Sequence, residues 1–221
     1  DQLGRDVLSR LVYGIRATVF LSLLTMAITS ALGACVGLVS GFFRNRIDDV
    51  LMRICDVMMS FPSEVMILAI VGMTGPGLEN VVIANVVAKW PWYARMVRSI
   101  VRQYSDKDYI RFAKVAGGSS IRIMMRHLLP GTAGELFVLT TLDTGSVILM
   151  ISALSFLGLG VQPPTPEWGM MLNEAKEVMP LYPLQMIPAG MAILLVVAAF
   201  NFLGDSLRDA FDPKHAGRER S

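Results

Sequence analysis

Charged residues are scarce in this sequence, and their scarcity limits the class of protein. Only 17% of the 221 residues are charged, whereas a soluble domain carries about 25%, and 53% are hydrophobic. Residues 17–43 and residues 178–204 are each a stretch of 27 without Asp, Glu, Lys or Arg. This composition excludes a disordered chain and disfavours an ordinary soluble enzyme. Because about 20 apolar residues cross the hydrocarbon core of a bilayer, both stretches predict membrane-spanning helices.

Cysteine and histidine are also rare. Cys35 and Cys55 have no metal-ligand spacing and require no disulfide, so we interpret them as packing thiols. His127 and His215 do not pair with Cys, Asp or Glu at a ligand spacing, which predicts no metal site and a structural role for His127. The sequence has no Gly-rich loop followed by Lys-Ser or Lys-Thr, no nucleophile elbow and no zinc-protease motif. We therefore expect no enzyme activity, no cofactor and no ATP site on this chain.

The apolar residues fall into five blocks, which predict an all-α, polytopic membrane bundle. The blocks cover about residues 17–43, 62–75, 80–99, 136–157 and 184–203. We expect one transmembrane domain at 17–205, preceded by an interfacial amphipathic segment at 1–16 and followed by a cytoplasmic tail at 206–221. Pro62 is expected to kink or start the second block, and Lys89 and Pro91 to break the third.

Three glycines spaced by four residues lie in the first block. Gly33, Gly37 and Gly41 share one face of a helix, where the absence of side chains lets a second backbone approach closely. Their spacing predicts a tight helix–helix contact. The alternative is that these glycines are chance occurrences in a tolerant membrane helix.

The distribution of basic residues predicts the orientation in the membrane. Residues 44–56, 95–126 and the tail hold three, eight and four of the 20 Lys and Arg residues, whereas residues 160–183 hold only Lys176. Because cytoplasmic loops are enriched in Lys and Arg, the first three segments are predicted to be cytoplasmic. Five spans then place residues 1–16 outside, where three Arg residues are discordant. A further span upstream would restore an even number.

The long basic segment predicts a docking surface. Residues 108–131 read DYIRFAKVAGGSSIRIMMRHLLPG, in which Gly117 and Gly118 interrupt a helical pattern and Pro130 is expected to stop the next helix. Two short helices joined by glycines, projecting from a membrane bundle, form a surface for a cytoplasmic partner. Residues 104–130 are therefore interpreted as a loop that docks such a partner.

This segment resembles the coupling loop of ABC-importer permeases. That pattern is Glu-Ala-Ala, three residues, Gly, nine residues, a hydrophobic residue, any residue, Leu and Pro. The spacing from Gly117 to Leu129 and Pro130 fits, but Arg111-Phe112-Ala113 stands in place of Glu-Ala-Ala. The resemblance implies an ATPase-docking role, with these candidate residues: Tyr109, Ala113, Gly117, Gly118, His127, Leu129 and Pro130.

Further stretches resemble the peptide/nickel branch of these permeases. They are LGRDVLSRLVYGIRAT at the start, DDVLMRICDVMMSFP at 48–62, LSFLGLGVQPPTPEWGMML at 154–172 and FNFLGDSLRDAFDP at 200–213. KWPWYARMVRSIV, TLDTG and PTPEWG look closer to nickel-uptake permeases than to dipeptide ones. The resemblance covers the whole chain and implies the type I ABC-importer permease fold in a bacterial inner membrane.

Charges inside the predicted spans point to a translocation path. Glu64, Lys89 and Asp143 lie at membrane depth, where a charge is costly and faces the bundle interior. Lys89 and Asp143 lie at similar depths in consecutive spans, so we hypothesise that they pair across this path. The alternative is that each charge reaches the membrane surface or bonds to backbone separately.

The aromatic residues near position 90 and the methionines are interpreted as structural rather than functional. Trp90, Trp92 and Tyr93 lie near the cytoplasmic half of the third block, and we interpret them as an aromatic belt and helix packing. The 15 Met residues are scattered over spans and loops, so we interpret them as flexible packing rather than a Met-lined metal path.

The resemblance implies a permease subunit of an ATP-driven importer that works by alternating access. The implied cargo is nickel in chelated form, with a di- or oligopeptide as the alternative. The implied partners are a second permease subunit in a heterodimer, two cytoplasmic ATPase subunits that bind ATP, an extracytoplasmic solute-binding protein and membrane lipid; no nucleic acid is expected. A structural membrane protein or a membrane-embedded enzyme are weaker alternatives.

Overall fold

The computed structural model describes residues 1–211, and these residues form helices and no strand. We number eight helices in chain order: α1 (Val7–Phe43), α2 (Arg46–Met59), α3 (Ser63–Thr74), α4 (Leu78–Ser105), α5 (Asp108–Val115), α6 (Ser120–Phe156), α7 (Trp168–Glu177) and α8 (Ile187–Phe211). The part of the predicted tail beyond residue 211, including His215, lies outside the described residues.

Helix α1 joins the predicted amphipathic segment to the first span. The Asp6 carboxylate caps its start by accepting from Ser9 N at 2.7 Å. The helix passes through a π turn at Arg16–Phe20 without a break. It ends where Arg44 adopts the left-handed conformation with φ 48°, and Asn45 then caps α2 by accepting from Ile47 N at 3.0 Å.

The glycine stripe of α1 packs against α4, as the sequence predicted. A methyl group at Gly37 would lie 2.5 Å from the carbonyl oxygen of Ala94, and one at Gly41 would lie 2.8 Å from Val101 Cγ1. At Gly33 it would collide with the Cβ of Tyr93. The prediction of a tight contact is confirmed, and α1 and α4 form the closely packed centre of the bundle.

Two prolines do not interrupt helices where the sequence predicted a break. Helix α4 continues from Leu78 to Ser105 through the buried Pro91. Helix α6 continues through Pro130 because a π turn at Met124–Leu128 precedes the proline and rearranges the hydrogen bonds that it would otherwise disrupt. A missing N–H is tolerated in membrane helices where neighbouring helices hold the backbone.

Three helical stretches in the described residues are long and apolar enough to cross a membrane: α1, α6 and Pro183–Phe211, which includes α8. Helices α2 and α3 together would make a fourth, bent by 79° at Pro62. The five predicted blocks correspond to α1, α3, α4, α6 and α8. Helix α3 has only 12 residues, about 18 Å, and α4 is not among the helices that are apolar enough to cross a membrane.

The main core lies where α1, α3, α4 and α6 meet. Its buried side chains include Met26, Ile67, Val81, Ile151 and Leu154. Helix α8, in contrast, exposes much of its apolar surface.

Two of the three discordant arginines at the start of the chain, Arg5 and Arg10, form ion pairs. Arg10 contacts Glu174 of α7 at 2.5 Å and the Asp1 carboxylate at 2.8 Å, and Arg5 contacts Glu174 at 2.8 Å. The first residues and the loop at 160–183 therefore lie at one end of the bundle, which we call the outer end. The segments 44–56 and 95–126 lie together at the other, the basic end, where Arg44 contacts Asp106 at 2.8 Å.

Candidate functional site

The docking segment begins with a short helix anchored on the bundle. Ile110 of α5 is buried with Ile123 and Leu128 of α6 against Val97 and Val101 of α4. The ammonium of Lys114 lies 4.8 Å from the centre of the Phe42 ring at the end of α1. Helix α5 is therefore packed against the basic ends of α1 and α4.

The two glycines form a sharp turn between α5 and α6. Gly117 has φ 80°, a left-handed conformation that favours glycine, and the space beside it is open. Gly118 packs against the end of α5, because a methyl group there would lie 2.8 Å from the carbonyl oxygen of Ala113. The second short helix expected from the sequence is the beginning of the long helix α6, capped by the hydroxyl of Ser119.

The predicted docking residues divide into exposed and anchoring groups. Tyr109 and Pro130 are exposed, and the ring centre of Tyr109 lies 6.4 Å from that of His127, which is half-buried. Ala113 and Leu129 pack against the core of the basic end. Tyr109, Pro130 and His127 therefore lie at the surface, whereas Ala113 and Leu129 face the bundle.

Sequence reasoning missed the most exposed apolar residues of this segment. Phe112 is 73% exposed and Val115 is 86% exposed. Ile121 and Met125 at the start of α6 are also exposed. We call these four exposed apolar residues of α5 and the start of α6 the docking patch. Next to each of them in the sequence is an exposed basic residue: Arg111, Lys114, Arg122 and Arg126. The sequence offered a signal for Phe112 and Val115, because their positions in the helix differ from that of the buried Ile110 and predict another face of α5.

All three charges predicted at membrane depth line one cavity. Its volume is about 640 Å³, and its wall comes from the end of α2, the start of α3 and the middle of α4 and α6. Glu64 lies in the first turn of α3, Lys89 in α4 and Asp143 in α6. The structure thus brings together three residues that lie far apart in the sequence.

Lys89 and Asp143 form an ion pair in the wall of this cavity. The Lys89 ammonium donates to both carboxylate oxygens of Asp143, at 2.8 and 3.0 Å. Both side chains are mostly buried. Burying a charge in a membrane protein is costly unless it is paired, and this geometry supplies the partner.

Tyr93 is the third member of this polar group. It is fully buried, and its hydroxyl donates to Asp143 at 3.2 Å. Of the interpretation as an aromatic belt and helix packing, the packing is confirmed for Tyr93, which belongs to the core cluster. The belt is wrong for Tyr93, because its buried hydroxyl bonds to Asp143 of α6. Trp92 lines the cavity beside it and is partly exposed there.

A second acid–base group fixes α2 at the basic end. Asp48 is 2% exposed and accepts from Arg98 Nε at 2.5 Å and Nη2 at 2.8 Å, as well as from Arg102 and the hydroxyl of Ser40. These hydrogen bonds, that of Arg98 above all, lower the pKa of Asp48 to about 2. About two turns further along α2, Asp56 forms an ion pair with Arg95 of α4. Helix α2 thus runs along α4 from the docking end to the cavity.

The outer end contains a buried carboxylate that sequence reasoning did not single out. Glu167 is fully buried and accepts from Met170 N at 2.9 Å, Thr18 Oγ1 at 3.0 Å and Ser152 Oγ at 3.3 Å. It caps α7 and joins that helix to α1 and α6. Its bonds are all internal, which indicates a structural role.

Metal ligands were not predicted, and within residues 1–211 no group of three or more His, Cys, Asp and Glu side chains is arranged to hold an ion. Met58 and Met59 do line the cavity, so two of the 15 Met residues lie beside the charged groups.

A family match and two similar proteins all indicate a transport permease. Residues 33–216 match the family described as "Binding-protein-dependent transport system inner membrane component". The metal-staphylopine import system permease protein CntC of Staphylococcus aureus is 42% identical over 220 residues, which cover all of this chain and 76% of that protein. The nickel transport system permease protein NikC of Escherichia coli K12 is 39% identical over 213 residues, 96% of this chain and 77% of NikC.

A peptide-system permease and a solved structure are also similar. The di/tripeptide transport system permease protein DppC of Pseudomonas aeruginosa is 43% identical over 214 residues, 97% of this chain and 71% of DppC. The fold matches a chain of the inward-facing methionine ABC transporter MetNI with a TM-score of 0.69 at 17% identity, covering 93% of this chain and 98% of that one.

Proposed function

The chain belongs to the family of binding-protein-dependent transport system inner membrane components, as a permease subunit of an ABC importer, and we propose that its cargo passes through the cavity walled by Glu64, Lys89 and Asp143. One observation carries this proposal. The three charges that the sequence analysis singled out at membrane depth, Glu64, Lys89 and Asp143, line a single cavity. Charges are retained at such depth where they line a path for polar cargo.

We propose chelated nickel, or a related metal complex, as the cargo. CntC and NikC are named for metal-staphylopine and nickel import, and both align with nearly the whole chain. The alternative cargo is a di- or oligopeptide, which the similarity to DppC favours at nearly the same identity. The cavity volume of about 640 Å³ accommodates a small organic ligand of either kind.

Energy for transport would reach this chain through its docking patch. Two cytoplasmic ATPase subunits, on which ATP is bound and hydrolysed, would contact Phe112 and Val115 on α5. Helix α5 is anchored through Ile110 on Val97 and Val101 of α4, and Lys89 lies about two to three turns away on the same helix. A displacement of α5 would therefore move a rigid helix that forms part of the cavity wall.

The ion pair gives this motion two defined states. With Lys89 bound to Asp143, α4 and α6 are held together at the middle of the membrane. Rotation of α4 would separate the pair and open the path, and the cargo's own charges would replace the lost partners. ATP binding and cargo binding would then shift the populations of these two states in one cycle.

We propose two further partners from the family's mode of action. A second, different permease subunit would complete the path on the open side of the cavity, and an extracytoplasmic binding protein would deliver cargo to the outer end. Residues 160–183, which include α7, are the largest segment available there.

The test is reconstitution of the chain with its partners. Co-expression with the neighbouring permease and ATPase genes should yield a stable complex that takes up nickel into liposomes when ATP and the loaded binding protein are supplied. Omission of ATP is the control. Uptake of a dipeptide but not nickel would select the alternative cargo, and a complex without ATP-dependent uptake of either would overturn the proposal.

A further inference from the structure

The charges on the cavity wall do not cancel. Lys89 and Asp143 neutralise each other through their ion pair. Glu64 also lines the cavity, but none of the ion pairs formed within residues 1–211 includes it. The described wall therefore carries one uncompensated negative charge, that of Glu64 in the first turn of α3.

The uncharged part of the wall is also suited to a cation. Trp92 is 39% exposed and lines the cavity, and an indole ring attracts cations to its face. Met58 and Met59 contribute polarisable thioether groups. Among residues 1–211, Lys89 is the sole basic residue that lines the cavity.

A single uncompensated charge has a large effect in a cavity of this kind. Apolar walls around an aqueous cleft concentrate its field, so the local concentration of oppositely charged solutes rises. Glu64 lies at the start of α3, next to the bend at Pro62, where a cargo entering between α2 and α3 would pass it. The Lys89–Asp143 pair joins α4 and α6 in another part of the wall.

We propose that Glu64 makes the cavity selective for cargo with a net positive charge, such as a cationic metal complex or a peptide with excess basic groups. This inference rests on the proposed function, in which the cavity is the translocation path. Glu64 is then a specificity-determining residue that contacts the positive group of the cargo. The ion pair contributes no net charge to selection.

The charge of the cavity can be measured without any cargo. Ser146 is exposed in the cavity, so Ser146→Cys, with Cys35 and Cys55 replaced by alanine, introduces a single thiol there. In the complete importer complex, the rates of reaction with a cationic and an anionic methanethiosulfonate reagent are compared. Glu64→Gln should lower the ratio of the cationic to the anionic rate about five-fold.

The matched control is Glu79→Gln. Glu79 is exposed in the first turn of α4 and does not line the cavity, so the same chemical change should leave the ratio unaltered. An unchanged ratio in Glu64→Gln, or an equal fall in both variants, would overturn the proposal.

Transport supplies the second measurement. ATP-driven uptake into liposomes is compared for nickel chloride, Ala-Lys-Ala and Ala-Glu-Ala, each with saturating binding protein. Glu64→Gln should reduce uptake of whichever positive probe the wild type moves by about five-fold, and Glu79→Gln should not. If the wild type transports and Glu64→Gln keeps the same rates, the selectivity inference fails while the proposed function stands. If the wild type moves no probe, the proposed function fails for these cargoes, and the thiol measurement still decides the charge of the cavity.

Discussion

Asp48 of α2 and Arg98 of α4 form a two-point ion pair at the basic end, with Nε and Nη2 of Arg98 at 2.5 and 2.8 Å from the two carboxylate oxygens. The pair lies between the docking segment and the cavity. Arg102 and Ser40 occupy the remaining acceptor positions of the same carboxylate. Helices α1, α2 and α4 therefore share one buried carboxylate.

Asp48→Asn should destabilise the protein by about 3 kcal/mol, because it leaves two arginines without their buried partner. Asp49→Asn, an exposed neighbour on the same helix, is the control and should change stability by less than about 0.5 kcal/mol. The free energy of unfolding in mixed detergent and SDS micelles measures both. Equal stability of the two variants would show that the pair contributes nothing.

The same pair predicts a pH dependence. The pKa of Asp48 is lowered to about 2 in the folded protein, against an ordinary value of 3.8. The unfolded state therefore binds the proton more tightly, and the stabilisation is complete above about pH 4 and is lost as the pH falls towards 2. The difference in unfolding free energy between the wild type and Asp48→Asn should shrink over that interval. A difference that stays constant from pH 6 to pH 3 would contradict this assignment.

Gly37→Ala should prevent the close approach of α1 and α4. Its methyl group would lie 2.5 Å from the carbonyl oxygen of Ala94, in backbone that cannot yield cheaply, so we expect a loss of about 2 kcal/mol or more. Gly72→Ala in α3 is the control, because no atom lies within 4 Å of its added methyl group. Detergent-melting temperatures of the two variants give the comparison. A Gly37→Ala variant as stable as Gly72→Ala would contradict the packing.

Lys89→Ala and Asp143→Ala should each cut ATP-driven uptake, since each leaves a lone charge in the membrane. The exchange Lys89→Asp with Asp143→Lys should restore part of it by restoring the pair. Uptake normalised to the inserted protein is the measurement. The pairing hypothesis fails if the exchanged variant transports no better than the worse single variant. Incomplete rescue is expected, because Tyr93 can donate to a carboxylate at position 143 but not to an ammonium.

Phe112→Ala should weaken ATPase binding at least ten-fold, since a large exposed aromatic side chain at the centre of an interface is a common anchor. Gly117→Glu should uncouple ATP hydrolysis from uptake for another reason, because φ 80° is unfavourable for any residue with a side chain. Gly72→Ala again provides a benign control. Co-purification of the ATPase and cargo-dependent ATP hydrolysis are the measurements, and normal values for both variants would contradict the docking assignment.

The orientation prediction can be tested with single cysteines. Thr165 in the outer loop and Ser120 at the start of α6 are both exposed hydroxyl residues, so each tolerates a thiol. Glu174 is unsuitable because it binds Arg5 and Arg10. With Cys35 and Cys55 replaced by alanine, a membrane-impermeant reagent should label Thr165→Cys but not Ser120→Cys in intact spheroplasts. The reverse pattern would place the docking segment outside and overturn its role.

The sequence itself determined the features that depend on composition and local spacing. Long uncharged stretches predicted α1 and α8, because the hydrocarbon core requires about 20 apolar residues. The glycine stripe predicted a close helix contact, because spacing by four repeats on one helix face. The docking segment was also visible from its glycines and basic residues, although its helices were delimited differently from the structure.

Only the tertiary structure decided which residues meet. Asp143 lies 54 residues from Lys89 in the sequence, and their contact depends on the rotation of α4 and α6 about their axes, which neighbouring helices fix through packing. The same packing buries Tyr93 beside Asp143 and carries α4 through Pro91, although the local preference of proline is to end a helix. It also turns Phe112 outwards and Ala113 inwards within one turn of α5. Local pattern fixes what kind of element forms, whereas the partners of a charge or an aromatic ring are fixed by helices that are distant in sequence.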